Sequence, residues 1–273
     1  MVAMRASPLS AVAVVALLVL AGCSGLPGAG GGDPSPDVSP DEFPNASAID
    51  QSVFERHAAA MGDTNFTLAT VRNRTDRVLR SSEDDFRHMN DTGRMLAEPG
   101  DSQYLLHTTG YFSGNGSTYS NGSAAFVFSR ENDWTEVRDL SPVSVFNESS
   151  DRYLWQGVFS NRSGMQLDHA AIDATFQREG IETFQSVPVM RYEATGVDAL
   201  ADSWAADENA SSWYEEFSAT VLVDRNGVIR HYEYEFVWAD YNTRRVTQSY
   251  TLSDVGSTDV EKPDWAKNAT AGS

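Results

Sequence analysis

Residues 217–252 carry an alternation that an antiparallel sheet satisfies and a helix does not. Phe217, Ala219, Val221 and Val223 recur at every second position and lead into Asn226-Gly227, the strongest short signal for a two-residue type I′ hairpin turn. With those two residues as the turn, Val223 faces Arg230, Val221 faces Tyr232, Ala219 faces Tyr234 and Phe217 faces Phe236. Directly opposed residues point to the same side of a sheet. One face therefore collects Phe217, Ala219, Val221, Val223, Tyr232, Tyr234, Phe236 and Trp238. The other takes His231, Glu233 and Glu235. A second turn near residues 241–244 adds Val246, Tyr250 and Leu252 to the apolar side. A slip of one residue would turn every one of these side chains outward, so the pattern fixes register as well as strand identity.

Further strands are expected at 65–73, 103–111, 123–130, 133–139, 152–159 and 187–195. Each is rich in aromatic or β-branched residues and bounded by Gly, Asn, Ser or Asp. Ser47 and Asp50 form a capping-box signature, and Ile49, Val53, His57 and Met61 follow at near-helical spacing up to Gly62. These residues predict a helix over 48–61. Shorter helices are expected at 166–177 and 197–215. The whole reads as one α+β domain over 47–273, a curved antiparallel sheet with helices packed on one face.

The N-terminus reads as a targeting segment. Arg5 precedes an unbroken apolar run at 11–20, and the small residues Ala21 and Gly22 then lead to Cys23, the chain's single cysteine. The run is too short to span a bilayer comfortably and ends as a cleavage site does, so 1–22 are expected to be a signal peptide. Leu20-Ala21-Gly22-Cys23 resembles the lipobox of secreted lipoproteins, which implies lipidation of Cys23 and anchoring at the outer face of the cell membrane. With a single cysteine no intrachain disulfide forms, so the core must hold by packing. Residues 23–46 are dominated by Gly, Pro, Ser and Asp and read as a flexible tether. Stretched out, a tether of this length reaches about 70 Å from the anchor.

Acidic residues number 39 against 20 basic ones, only two of which are lysines, Lys262 and Lys267. That balance argues against a nucleic-acid partner, which requires a basic footprint. It is the composition of a surface that stays soluble in strong brine, where the Debye length falls to about 3 Å and self-repulsion is screened. Many acids with few lysines resemble the proteins of salt-loving archaea, which implies a halophilic, archaeal protein; the alternative is a generic acidic secreted protein.

Asn-x-Ser/Thr sequons stand at Asn45, Asn65, Asn73, Asn90, Asn115, Asn121, Asn147, Asn161, Asn209 and Asn268, ten of the chain's 13 asparagines. At the chain's Ser and Thr content chance would place roughly two, so the excess marks an N-glycosylated surface. Catalytic signatures are missing by contrast. The five histidines are scattered, and neither a zinc spacing, a nucleophile elbow nor a phosphate loop is present. A non-enzymatic protein without cofactor or metal is expected. A hydrolase using dispersed carboxylates is the less favoured alternative.

A helix ahead of the sheet, the lipobox, a long final hairpin and a closing Pro263-x-Trp265 together resemble haloarchaeal surface lipoproteins. More remotely, the arrangement is similar to lipoprotein carriers of the Lol type and to mycobacterial glycolipid-carrier lipoproteins. The resemblance implies a half-barrel whose concave face, covered by helices, holds acyl chains, and it supplies no catalytic residue. Phe217, Val221, Tyr232, Tyr234, Phe236, Trp238 and Tyr250 are then the expected ligand-binding set for a lipid or other hydrophobic molecule. The alternative is an envelope or adhesion module in which the same residues are ordinary core.

Overall fold

The structure is a computed structural model that describes residues 38–43, 49, 51–61, 64–77, 86–101, 103–110, 114–129, 134–139, 174–200, 214–239 and 245–267. Within them eleven strands form one antiparallel sheet. These are β1 Phe66–Arg77, β2 Phe86–Glu98, β3 Gln103–Gly110, β4 Gly116–Asn121, β5 Ala124–Ser129, β6 Trp134–Asp139, β7 Gln177–Phe184, β8 Val187–Thr195, β9 Tyr214–Asp224, β10 Ile229–Trp238 and β11 Arg245–Ser253. Their order is β6-β5-β4-β3-β2-β1-β11-β10-β9-β8-β7. Two meanders, β1 to β6 and β7 to β11, thus join along the β1–β11 pair. The edges β6 and β7 do not pair, so the sheet is open, as a half-barrel is.

One face holds the main core. Phe66 and Leu68 of β1, Met95 and Ala97 of β2, Met190 and Tyr192 of β8, and the inner residues of β9 to β11 form a single buried cluster. Helix α1 (Gln51–Met61) lies on it through Val53 and Met61, and Ile49 is buried just ahead of it. Among the described residues α1 is the one helix longer than a single turn. The expectation of helices in the plural over this face is not supported. Residues 197–199 form a 3-10 turn, residue 177 opens β7 and residues 214–215 open β9, while 166–173 and 201–213 lie outside the described residues. Helix α1 begins near the expected position, at Gln51.

The opposite face carries a smaller cluster. Leu96, Leu105, Tyr119 and Phe126 stand in register across β2 to β5, and Val260, Trp265 and Ala266 cover them. Pro263-x-Trp265 therefore closes the outer side of the sheet. The Trp265 ring stacks on Phe128 at 5.6 Å, beside the last short helix α2 (Asp264–Lys267). Backbone bonds stitch the same tail down. Val260 N–H donates to Glu98 Oε1 at 2.9 Å, and Gly256 N–H donates to the Asn65 carbonyl at 2.7 Å.

Within the stretch read as tether, residues 38–43 pack on the domain. Ser39 caps the 3-10 turn Pro40–Glu42, the Phe43 side chain enters the main core, and Glu42 pairs with Arg225 at 2.9 Å. A lone phenylalanine in a Pro/Asp-rich segment carries enough apolar surface to dock, at about 1.5–3 kcal/mol for full burial.

The β9–β10 turn differs from expectation in one detail. Val221, Ala219 and Phe217 face Tyr232, Tyr234 and Phe236 as expected, but Val223 faces Ile229, and Arg230 is the extra residue of a bulge. Asp224 N–H donates to the Val228 carbonyl at 2.9 Å, and Gly227 alone takes positive φ, at 82°. This is a three-residue loop with Gly in the left-handed position, not a type I′ turn. Asp224 selects it. Its Oδ1 accepts from the N–H groups of Asn226 and Val228 at 2.9 and 3.0 Å, and its Oδ2 holds Arg230 at 2.7 Å.

A two-residue loop with both φ values positive does occur, between β7 and β8, at Gln185 (49°) and Ser186 (66°). Neither residue favours that region, which costs a side chain about 1–2 kcal/mol per residue. Replacing the pair by Asn-Gly (Gln185→Asn with Ser186→Gly) is expected to stabilise the domain by about 1 kcal/mol, because that dipeptide is built for the turn. A chemical-denaturation midpoint that falls or does not move would contradict it.

Candidate functional site

The inner face is built by the register of β9, β10 and β11. Val221, Tyr232 and Tyr250 form one cross-strand row, Ala219, Tyr234 and Gln248 the next, and Phe217, Phe236 and Val246 a third. Ring contacts run along the strands as well as across them: Tyr232–Tyr234 at 5.8 Å, Tyr234–Phe236 at 5.5 Å and Phe217–Phe236 at 4.9 Å between centroids. Tyr214 closes this end, lying 4.7 Å from both Phe236 and Trp238.

All seven residues of the expected ligand-binding set share this face. Six of them are at most 5% exposed, and Trp238 is half-buried at its edge. Tyr234 is anchored from both ends, its ring in the core and its hydroxyl donating to Gln248 Oε1 at 3.0 Å, with Gln248 itself buried. The aromatic rows are thus packed against one another.

Free space lies to one side of them, under α1. An apolar cavity of about 20 Å³ is lined by His57 and Met61 of the helix and by Phe66, Leu68, Met95, Tyr250 and Leu252 of the sheet. Of the expected set only Tyr250 reaches it. The volume suffices for about one water. His57 sets the polarity of this cavity. Its Nδ1 accepts the Ile229 backbone N–H at 3.1 Å, so the neutral ring carries its proton on Nε2. Burial, with the Arg230 charge adding to it, pushes its pKa down to about 3. Burial also holds the Tyr250 hydroxyl well above its usual range. Both groups are therefore neutral at pH 7, and the cavity presents no formal charge.

His57 was legible as a position on the helix face and not as a polar anchor, because its partner is a backbone N–H 172 residues away. A second depression, about 320 Å³ and open, lies near Gly196 and is lined by Glu215, Glu216, Phe217 and Glu235, with Arg245 reaching Glu235 at 3.0 Å and Glu216 at 3.6 Å. Its carboxylates suit water or ions and not an acyl chain.

The remaining histidines serve the sheet. His88 meets Thr75 at 3.1 Å, His107 meets Ser117 at 2.7 Å and His231 meets Thr251 at 3.0 Å, while His169 lies outside the described residues. Among the described residues no group of three or more His, Cys, Asp or Glu side chains is placed to hold a metal ion. No helix among them is long and apolar enough to cross a membrane.

Cys23 and the sequon asparagines Asn45, Asn147, Asn161, Asn209 and Asn268 lie outside the described residues. The other five sequons are on the sheet or its turns. Asn73, Asn90, Asn115 and Asn121 are exposed, whereas Asn65 is half-buried, with its Nδ2 donating to the Thr258 carbonyl at 2.9 Å. Asn73 and Asn90 are cross-strand neighbours, and Asn90 Nδ2 donates to Asn73 Oδ1 at 2.5 Å.

Residues 148–269 match the model of a family of unknown function, DUF7537. No curated protein matches the chain. Among solved structures the chain is similar to LprF of Mycobacterium bovis, with 8% identity and a TM-score of 0.37 over 84% of this chain and 98% of that one. It is similar to the lipoprotein LppX of Mycobacterium tuberculosis, with 11% identity and a TM-score of 0.30 over 76% and 96%. A LolA-superfamily protein of Nitrosomonas europaea gives 12% identity and a TM-score of 0.26 over 79% and 96%.

Proposed function

We propose that this chain is a lipid-anchored, N-glycosylated protein of the outer cell surface that takes up a hydrophobic molecule between helix α1 and the inner face of its sheet. The observation that carries the reading is the uncharged apolar cavity beneath α1, which lies beside the aromatic rows and touches them at Tyr250, on a sheet eleven strands wide. Among the described residues one helix of 11 residues covers this centre, and the bond from Ile229 to His57 is a polar tie between it and the sheet. Tilting α1 outward enlarges the cavity without breaking a strand pair. An acyl chain entering there would run along Tyr250, Tyr232 and Val221, with Phe217, Tyr234, Phe236 and Trp238 as the wall beyond. Burial of each methylene contributes about 0.8 kcal/mol, so a long chain recovers the contacts that α1 gives up.

Titration of the purified domain with cis-parinaric acid in molar salt tests this. Saturable fluorescence enhancement at micromolar probe is expected, and a disulfide engineered between α1 and the sheet should abolish it. A domain that gives no enhancement, with or without the disulfide, contradicts uptake. The close packing of the aromatic rows would then favour the second reading, a surface module whose sheet face is simply its core.

The glycan part of the proposal makes a site-resolved prediction. Asn65 should be unmodified in the folded protein, because its Nδ2 is committed to Thr258 and its sequon threonine, Thr67, is buried. Asn73 and Asn90 should not be occupied together, because their amides touch. Asn115, exposed in a bend, should be occupied. Glycopeptide mass spectrometry of native protein reads all three, and a fully occupied Asn65, or doubly modified Asn73 and Asn90 on one molecule, would contradict the assignment.

A further inference from the structure

The inner face is not uniformly apolar at its β7 edge. β7 has a bulge between Arg178 and Gly180, after which Ile181 faces Met190 and packs against the main core. Because of the extra residue, Arg178 and Ile181 stand on the same face three positions apart, and bulges re-aim side chains in this way. Arg178 faces Tyr192, which is 1% exposed on the inner side. An arginine is therefore directed onto the core face of a strongly acidic protein, at the sheet edge.

Its partners set it apart. Arg74, Arg191, Arg225, Arg230 and Arg245 each pair with a carboxylate. Arg178 pairs with none among the described residues. Its Nε donates to Met190 Sδ at 3.3 Å, a weak acceptor, and its Nη2 is buried with no hydrogen-bond partner. A guanidinium cannot discharge itself by losing a proton, and a buried N–H without an acceptor costs about 1–3 kcal/mol, more for a charged group. Arg56 of α1 and Arg178 both act electrostatically on the Tyr192 hydroxyl and offset part of the rise that burial gives its pKa. Arg178 and Tyr192 are thus cross-strand neighbours on the inner face at the β7 edge, with Arg56 of α1 adding positive potential there.

We infer that Arg178, beside Tyr192 at the β7 edge, binds the oxyanion headgroup, carboxylate or phosphate, of the molecule taken up under α1. The inference rests on the uptake reading and specifies its ligand as an anionic amphiphile. The planar fork of Arg178 matches either oxyanion with two parallel bonds. A bound headgroup supplies the acceptor that Nη2 lacks, and the tail then points from the sheet edge toward the cavity.

The test compares cis-parinaric acid with its methyl ester, which has the same tail without the charge. Wild-type protein should bind the acid at least tenfold more tightly than the ester. Arg178→Met should bring the acid down to the affinity of the ester, leave the ester unchanged, and raise Tm or leave it unchanged, since a half-buried guanidinium with an unpartnered Nη2 is removed. Arg178→Lys, which keeps the charge and loses the fork, should fall between, and it carries the comparison if the methionine variant does not fold. Equal binding of acid and ester by wild type, or a tenfold preference that survives in Arg178→Met, overturns the headgroup site and leaves uptake standing. If neither probe binds but millimolar inorganic phosphate raises the Tm of wild type and not of Arg178→Met, the anion site stands for a free anion and uptake falls. If phosphate has no effect either, both fall.

Discussion

Tyr234→Asp is expected to unfold the domain. Tyr234 is 2% exposed, its ring lies 5.5 Å from Phe236 and 5.8 Å from Tyr232, and its hydroxyl reaches Gln248 through the core. An aspartate there loses the ring contacts, leaves Gln248 Oε1 without this donor and places an ionisable group among aromatic rings. Truncating a buried aromatic costs about 3–5 kcal/mol on its own. Burying a polar group without a partner adds about 1–3 kcal/mol, and a charge adds more. Domains of this kind are stable by about 5–15 kcal/mol, so the sum removes most or all of the folded state. Tyr234→Phe isolates the hydrogen bond and should cost about 1–2 kcal/mol while the sheet survives. Circular dichroism with thermal melts in molar salt reads both. A Tyr234→Asp protein that melts like wild type would mean that water already reaches this row, and the closed packing described here would be wrong.

Acid should destabilise the protein through His57. The ring protonates near 6.5 when free and only near about 3 in the folded domain. Between those values the unfolded chain binds a proton that the folded chain refuses. The stabilising effect of the neutral ring is complete above pH 6.5 and is lost as pH falls toward 3, at up to about 1.4 kcal/mol per pH unit for this one group. The Arg230 charge opposes a second positive charge on the ring, and the Tyr250 phenol, which lines the same cavity, stays protonated throughout this range. His231, also lowered by burial on the outer face, adds a smaller effect of the same sign. The interval from pH 6.5 to 5 isolates the histidines, because ordinary carboxylates titrate below it. His57→Asn retains an oxygen near Nδ1 to accept the Ile229 N–H and cannot protonate. Its stability should start lower and fall less steeply over that interval. Urea midpoints at half-unit pH steps would show it, and parallel slopes for wild type and variant would contradict the assignment.

How much of this was readable in advance differs from strand to strand, for physical reasons. The expected bounds of β8 match the observed ones and those of β3, β5 and β6 nearly do, because their β-branched and aromatic residues favour a pleated, half-buried surface, while β1 runs four residues past the expected 65–73. β2, β4 and β7 were missed. In β2 the buried positions are Met89, Asp91, Gly93, Met95 and Ala97, a clean period of two carried by residues that do not favour strands. β4 reads Gly-Ser-Thr-Tyr-Ser-Asn and looks like a loop, until Leu105 and Phe126 flank its one large residue, Tyr119. β7 is an edge strand rich in Gln, Glu and Gly. In each case pairing with neighbours overrides local propensity. The inner face of β9 to β11 was legible because register and hydrophobicity agree there. What the sequence could not convey was that a helix starting 178 residues before Ile229 would return to cap that strand, or that Asp224 would choose a three-residue loop over the expected type I′ turn. The Arg178 site depends on a bulge, which local propensity does not announce.

Native mass spectrometry of the full-length protein, released in mild detergent from the membrane of its own cell, tests the central claim most directly. The account predicts a population whose mass exceeds polypeptide, anchor and glycans by one amphiphile, lost at higher collision energy as an anion. A single species at the mass of the modified polypeptide alone, under conditions that preserve the fold, would contradict it.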